Sequence, residues 1–133
     1  MSKTPERSEL ALRDTWKLED MYASNEAWEA EYAKANEEIA VLASFEGKLG
    51  DLASLKQALD AYFSLSRKVE GLFTYARMRR DEDNRKGEYQ ALCDRAQTLM
   101  VAAETAGSYA TPELLAQPEE YLTAAAEIGR AHV

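Results

Sequence analysis

From Leu52 to Ala76, small or apolar residues recur at Leu52, Leu55, Leu59, Tyr62, Ser66, Val69, Phe73 and Ala76. Alternating steps of three and four keep these side chains on one side of an α-helix, whereas a half-buried strand needs a period of two. The spacing predicts a helix over 51–80, with Asp51 as its N-cap and a length of roughly 45 Å at the usual rise per residue. A stripe of that length has to be buried against other helices. Gly71 lies inside it. An interior glycine costs about 1 kcal/mol relative to alanine, so the helix is expected to bend there or to admit another backbone.

Two more long helices follow from the same periodicity. One starts at Ser24 or Asn25, either of which can cap free N–H groups, and covers 25–45 with Trp28, Tyr32, Ala35, Ile39 and Leu42 inward and Phe45 just beyond. Gly47 and Gly50 end it. The other covers 85–106, with Tyr89, Leu92, Cys93, Ala96, Leu99, Met100 and Ala103 inward, and stops near Gly107. Asp81, Glu82, Asp83 and Asn84 supply the intervening turn and a new N-cap. Pro112 and Pro118, each followed by glutamate, are expected at the first position of short helices over 113–116 and 119–126. Residues 1–23 form a lead-in: loosely ordered at first, then extended, then a single turn that carries Trp16, Leu18, Met21 and Tyr22 and docks through its aromatics on the helices that follow.

Short connections make neighbouring helices antiparallel, so the predicted fold is all-α: an up-down-up array of three long helices (25–45, 51–80, 85–106) plus short C-terminal helices. Beyond Ala106 the stripe fades, and Tyr121 and Leu122 point toward a core that the chain does not finish. The array is an incomplete bundle, as expected of a piece of something larger.

Composition bounds the partners. A chain of 133 residues with 46% hydrophobic content can form one domain. Twenty-four acidic against sixteen basic residues leave a net charge of −8, which repels a phosphate backbone and an anionic membrane surface. Neither nucleic acid nor a membrane is an expected partner, and without a signal-like or bilayer-length apolar run the expected location is cytoplasmic.

The chemistry is sparse. Cys93, the only cysteine, falls on an apolar helical face and reads as a packed thiol. His132 is the only histidine, so the two imidazoles of a helical HExxH zinc motif cannot be assembled. No serine or cysteine has a base to activate it, and no glycine-rich phosphate loop occurs. Asp81, Glu82 and Asp83 lack the alternating oxygens of a calcium loop and read as a solvated turn; Arg77, Arg79 and Arg80 suit the negative end of a helix dipole. The seven tyrosines read mainly as packing groups. The expected sets of catalytic, cofactor-binding and metal-ligating residues are empty.

A series of short stretches nonetheless resembles a known family. Thr15-Trp16-Lys17-Leu18-Glu19-Asp20-Met21-Tyr22, Phe45-Glu46-Gly47-Lys48-Leu49, Tyr75-Ala76-Arg77-Met78 with Asp81-Glu82-Asp83, Tyr89-Gln90-Ala91-Leu92 with Asp94-Arg95-Ala96, and Pro112-Glu113-Leu114-Leu115 follow the order of the amino-terminal region of oligoendopeptidase F. That family comprises zinc oligopeptidases related to thimet oligopeptidase. The resemblance implies a longer all-helical parent that cleaves oligopeptides in a deep channel, with zinc held by an HExxH helix and a later glutamate in a C-terminal catalytic domain missing here. It also implies that these helices wall the channel, and that zinc belongs to the parent rather than to this segment. The implied organisation is a lead-in over 1–23, the helical domain over 24–126, and a tail over 127–133. The tail, Glu127-Ile128-Gly129-Arg130-Ala131-His132-Val133, resembles a translated sequencing adapter, so the reading frame is expected to have been cut there. The alternative is a self-contained helical interaction module that dimerises through its unfinished side.

Overall fold

The protein, as a computed structural model, is described here over residues 3–131. Three 3-10 turns (Arg7–Glu9, Leu12–Asp14, Leu18–Asp20) lead into α1 (Asn25–Ala43), α2 (Leu52–Glu82), α3 (Gly87–Gly107), α4 (Ala110–Leu115) and α5 (Glu119–Arg130), with no strand among the described residues. The all-α expectation holds, and the long helices end within three residues of their predicted limits.

Two caps act as the sequence requires. The Ser24 hydroxyl accepts the N–H of Ala27 at 3.1 Å, and the Asp51 carboxylate accepts both the N–H and the hydroxyl of Ser54 at 2.9 Å. Other local expectations need correcting. No side chain caps α3, because Lys86 stands at the N-cap and Asp83 instead accepts the N–H of Arg85. Pro112 is the third residue of α4 rather than the first, and Pro118 stands just before α5. Both placements are tolerated because the first turn of a helix has no intrahelical use for the missing N–H. α5 continues past 126 to Arg130, its alanine-rich middle favouring extension.

The three long helices pack against one another, with α2 antiparallel to both neighbours. Trp28 near the start of α1 donates its indole N–H to the carbonyl of Leu72 late in α2 at 3.1 Å, while Lys68 reaches back to Glu38 at 2.9 Å. On α3, Arg95 meets Glu29 of α1, so those two helices run parallel. One alanine on each long helix (Ala35, Ala76, Ala96) is fully buried, which lets the axes approach closely around Trp28, Leu65, Leu72, Tyr75, Cys93 and Leu99.

The buried stripe of α2 is rotated from the predicted one. Leu55, Val69 and Ala76 are buried as expected, but their inward companions are Ala58, Leu65, Leu72 and Tyr75 rather than Leu59, Ser66 and Phe73. Tyr62 remains 46% exposed and Leu52 37%. The helix is apolar on both flanks of the Leu55–Val69–Ala76 line, and only one flank is covered by α1 and α3. The lead-in docks through Tyr22 as expected, edge to face with Tyr75 at 5.3 Å, but its other aromatic, Trp16, is 51% exposed and the fully buried anchor is Leu18. At Gly71 the close neighbour is a side chain, the Tyr22 hydroxyl, rather than a backbone.

Candidate functional site

A second, smaller core of Leu49, Leu55 and Ala58 is assembled where the loop after α1 meets α2, α4 and α5. Gly47 adopts φ +79°, a left-handed conformation that glycine accepts at little cost, and in this turn the N–H groups of Gly47 and Leu49 face α4 while that of Lys48 bonds the Phe45 carbonyl. There the Glu113 carboxylate accepts the N–H of Gly47 through one oxygen and that of Leu49 through the other. Tyr109 donates its hydroxyl to the Leu42 carbonyl at 2.6 Å, and Tyr121 donates its own to the Leu49 carbonyl. Burial, with Glu113 and Glu46 nearby, pushes the Tyr109 hydroxyl above its ordinary pKa. The Phe45–Leu49 and Pro112–Leu115 stretches are thus two halves of one clasp.

The lead-in is fastened at the other end of the bundle. The Arg7 guanidinium donates to the Trp16 carbonyl at 2.6 Å, and its Nε lies 3.0 Å from Glu82 Oε1 in ion-pair contact without hydrogen-bond alignment. Glu82 also accepts from Arg79 at 3.4 Å, and Arg79 donates to the Tyr75 hydroxyl at 3.1 Å while lying over the rings of Tyr75 and Tyr89. On the flank of α1, Arg95 makes a two-pronged pair with Glu29 at 2.6 and 2.8 Å and lies over the stacked rings of Trp28 and Tyr32. The guanidinium hydrogen bonds hold the Glu29 carboxyl below its usual pKa.

Between these anchors lies an open apolar groove. A hollow of about 310 Å³ is lined by Leu49, Leu55, Leu59, Tyr62, Tyr109 and Leu114, among others. A neighbouring one of about 170 Å³, lined by Leu65, Ser66, Val69, Met100 and Ala103, shares Leu42, Tyr62 and Glu104 with it. Glu70 and Glu104 stand on the rim, without an ion-pair partner among the described residues.

The charged clusters singled out in the sequence do not converge on a ligand. Asp81 faces Arg80 at 3.3 Å, Glu82 faces Arg7 and Arg79, and Asp83 is gripped by Arg85 at 2.8 Å, whose hydrogen bonds lower its pKa to about 2. Arg77 lies over the Phe73 ring. Cys93 is buried, and desolvation pushes its thiol up. His132 lies outside the described residues. No three histidine, cysteine, aspartate or glutamate side chains cluster to hold a metal among the described residues, and no zinc-dependent step is assigned to them. Nor is any described helix long and apolar enough to cross a membrane. Glu70, Glu104 and the clasping role of Glu113 were not singled out in the sequence. A lone glutamate at helical spacing looks like solvated surface until its neighbours are known.

No family model matches the chain. The oligopeptidase PepF of Bacillus subtilis (strain 168) is 39% identical to it over 122 residues, covering 91% of this chain and 18% of that protein. An oligoendopeptidase F homolog of Lactococcus lactis subsp. lactis (strain IL1403) is 32% identical over 111 residues, covering 82% of this chain and 18% of its own length. The crystal structure of a Chlamydophila abortus protein described as a candidate peptidase superposes with a TM-score of 0.81 at 24% identity, over 92% of this chain and 21% of that one. At that identity the superposition shows the fold alone. The all-helical fold is shared over 92% of this chain, and the curated relatives it matches are oligopeptidases. The chain belongs to the oligoendopeptidase F family and spans about 18% of the length of the curated relatives it matches.

Proposed function

We propose that the chain is the amino-terminal, channel-wall domain of an oligoendopeptidase F-like zinc metallopeptidase that hydrolyses short peptides in the cytoplasm, and that this segment is catalytically silent by itself. The observation that carries this reading is the 39% identity over 122 residues to a protein of which those residues make up 18%. Zinc, general base and peptide-cleaving groups then belong to a catalytic domain that completes the parent. The helical domain of residues 24–126, with its lead-in over 1–23, contributes wall and support, and 127–133 is an adapter-derived tail. Leu18, Tyr22 and Arg7 fasten the lead-in to the helices, which suits a domain that presents a fixed surface to its surroundings.

The test is direct. Purified with added zinc, the chain is expected neither to cleave a quenched fluorescent octapeptide nor to gain thermal stability from the metal. The same residues, exchanged for the matched segment of the Bacillus subtilis relative, are expected to give a zinc-dependent peptidase. Chelator-sensitive cleavage by the 133-residue chain would overturn the proposal.

A further inference from the structure

We infer that the groove between α2, α3 and α4 seats a helix from the remainder of the family-length polypeptide, one presenting an apolar ridge to Leu59 and Tyr62 and a cationic flank to Glu70 and Glu104. This rests on the reading of the chain as one domain of a longer peptidase.

Four features of the groove select that occupant. From Leu55 to Glu70 it follows fifteen steps of α2, roughly 22 Å or four helical turns, far longer than a small ligand needs. Its floor is core that lacks one side: Leu49, Leu55 and Ala58 are buried, while Leu59, Tyr109, Ala110 and Leu114 packed on them are only half covered. Small residues border it at Ser66, Ala103, Gly107 and Ala110, so another helix can approach to the usual interaxial distance of about 8–10 Å. The walls are helices with their backbone bonds already made, which offer an extended peptide no strand edge to pair with.

Charge narrows the choice further. Covering Glu70 and Glu104 with apolar surface strands two carboxylates unless cations meet them. A second copy of this chain would bring the same two carboxylates and a net charge of −8 to the interface, so like charges oppose self-association. The matched relatives carry more than four-fifths of their length outside this segment, ample chain to supply the missing helix.

The experiment compares the 133-residue chain with a chimera in which it replaces the matched segment of the Bacillus subtilis relative. Tyr62 nitration by tetranitromethane, read by peptide mass mapping, reports whether the groove is covered. Tyr62 is expected to react in the chain alone and at least tenfold more slowly in the chimera. The double substitution Glu70→Lys, Glu104→Lys is expected to restore its reactivity in the chimera while leaving the melting temperature of the chain alone unchanged or higher. Val101→Lys, on an exposed face of α3 away from the groove, should change neither. Equal Tyr62 reactivity in chain and chimera overturns the inference and leaves the channel-wall reading standing. So does protection that appears only when an oligopeptide is added, or protection in the chain alone that rises with its concentration as a dimer forms. A chimera that fails to fold with the unsubstituted segment overturns both.

Discussion

The hydroxyl of Tyr22 stands 3.0 Å from the point where a β-carbon on Gly71 would lie. Tyr22 is held there by its edge-to-face contact with the Tyr75 ring, so a glycine inside α2 makes room for the segment that ties the lead-in down. Alanine in an open helix would gain about 1 kcal/mol over glycine. Here Gly71→Ala alone is expected to destabilise the protein, because the hydroxyl has to move. In the Tyr22→Phe background the nearest ring atom lies at 4.0 Å, an ordinary contact, and Gly71→Ala is expected to stabilise by about 0.5–1 kcal/mol. Urea melts of the four proteins in this cycle check the change of sign; the same sign in both backgrounds refutes the packing account.

The Glu113 clasp makes a second expectation. Its carboxylate satisfies the N–H groups of Gly47 and Leu49, and its removal leaves both without a partner beside the smaller core. Glu113→Ala is expected to cost about 2 kcal/mol, lowering the melting temperature on the order of 5–10 °C. Glu113→Gln, which keeps one acceptor oxygen, should lose roughly half as much. Calorimetry with amide exchange at Gly47 and Leu49 tests it, and unchanged protection at those two amides would rule the clasp out.

Arg7 should matter locally rather than globally. It bridges the Trp16 carbonyl and Glu82, so Arg7→Ala is expected to release the lead-in while the three long helices persist. Limited chymotrypsin digestion should cut at Leu10, Leu12 and Trp16 about tenfold faster, with a loss of global stability under about 1 kcal/mol. An unaltered cleavage pattern would mean that Leu18 and Tyr22 hold the segment unaided.

Acid sensitivity follows from Asp83, whose pKa Arg85 draws down to about 2. In the unfolded chain an aspartate titrates near about 3.9, so folding favours the ionised form. The stabilisation is complete above the unfolded value and is lost as the pH falls through the folded one. Asp51, lowered by its bonds to Ser54, acts in the same direction. The melting temperature is therefore expected to fall between about pH 4 and about pH 2, and Asp83→Asn should flatten part of that fall. Parallel curves for the two proteins would show that the Arg85 pair contributes nothing.

Helix identity, approximate length and the caps of α1 and α2 were legible along the chain, because periodicity and the residues at the ends are local properties. Ser24, Asp51 and the inward line of Trp28, Ala35 and Leu42 could be read without a fold. The resemblance to oligoendopeptidase F was legible too, as an ordered series of short stretches, but what joins those stretches was not. Glu113 meets Gly47 across 66 residues of sequence, and no local pattern encodes such a contact. Which flank of α2 turns inward was likewise settled only in three dimensions. Leu59, Ser66 and Phe73 satisfy the helical period as well as Ala58, Leu65 and Leu72 do, and the choice falls to whichever side α1 and α3 can cover with closely packed side chains. The uncovered side is the groove. A helix with two apolar flanks announces in its sequence that something must cover it, while only the assembled bundle decides which flank is left for another partner.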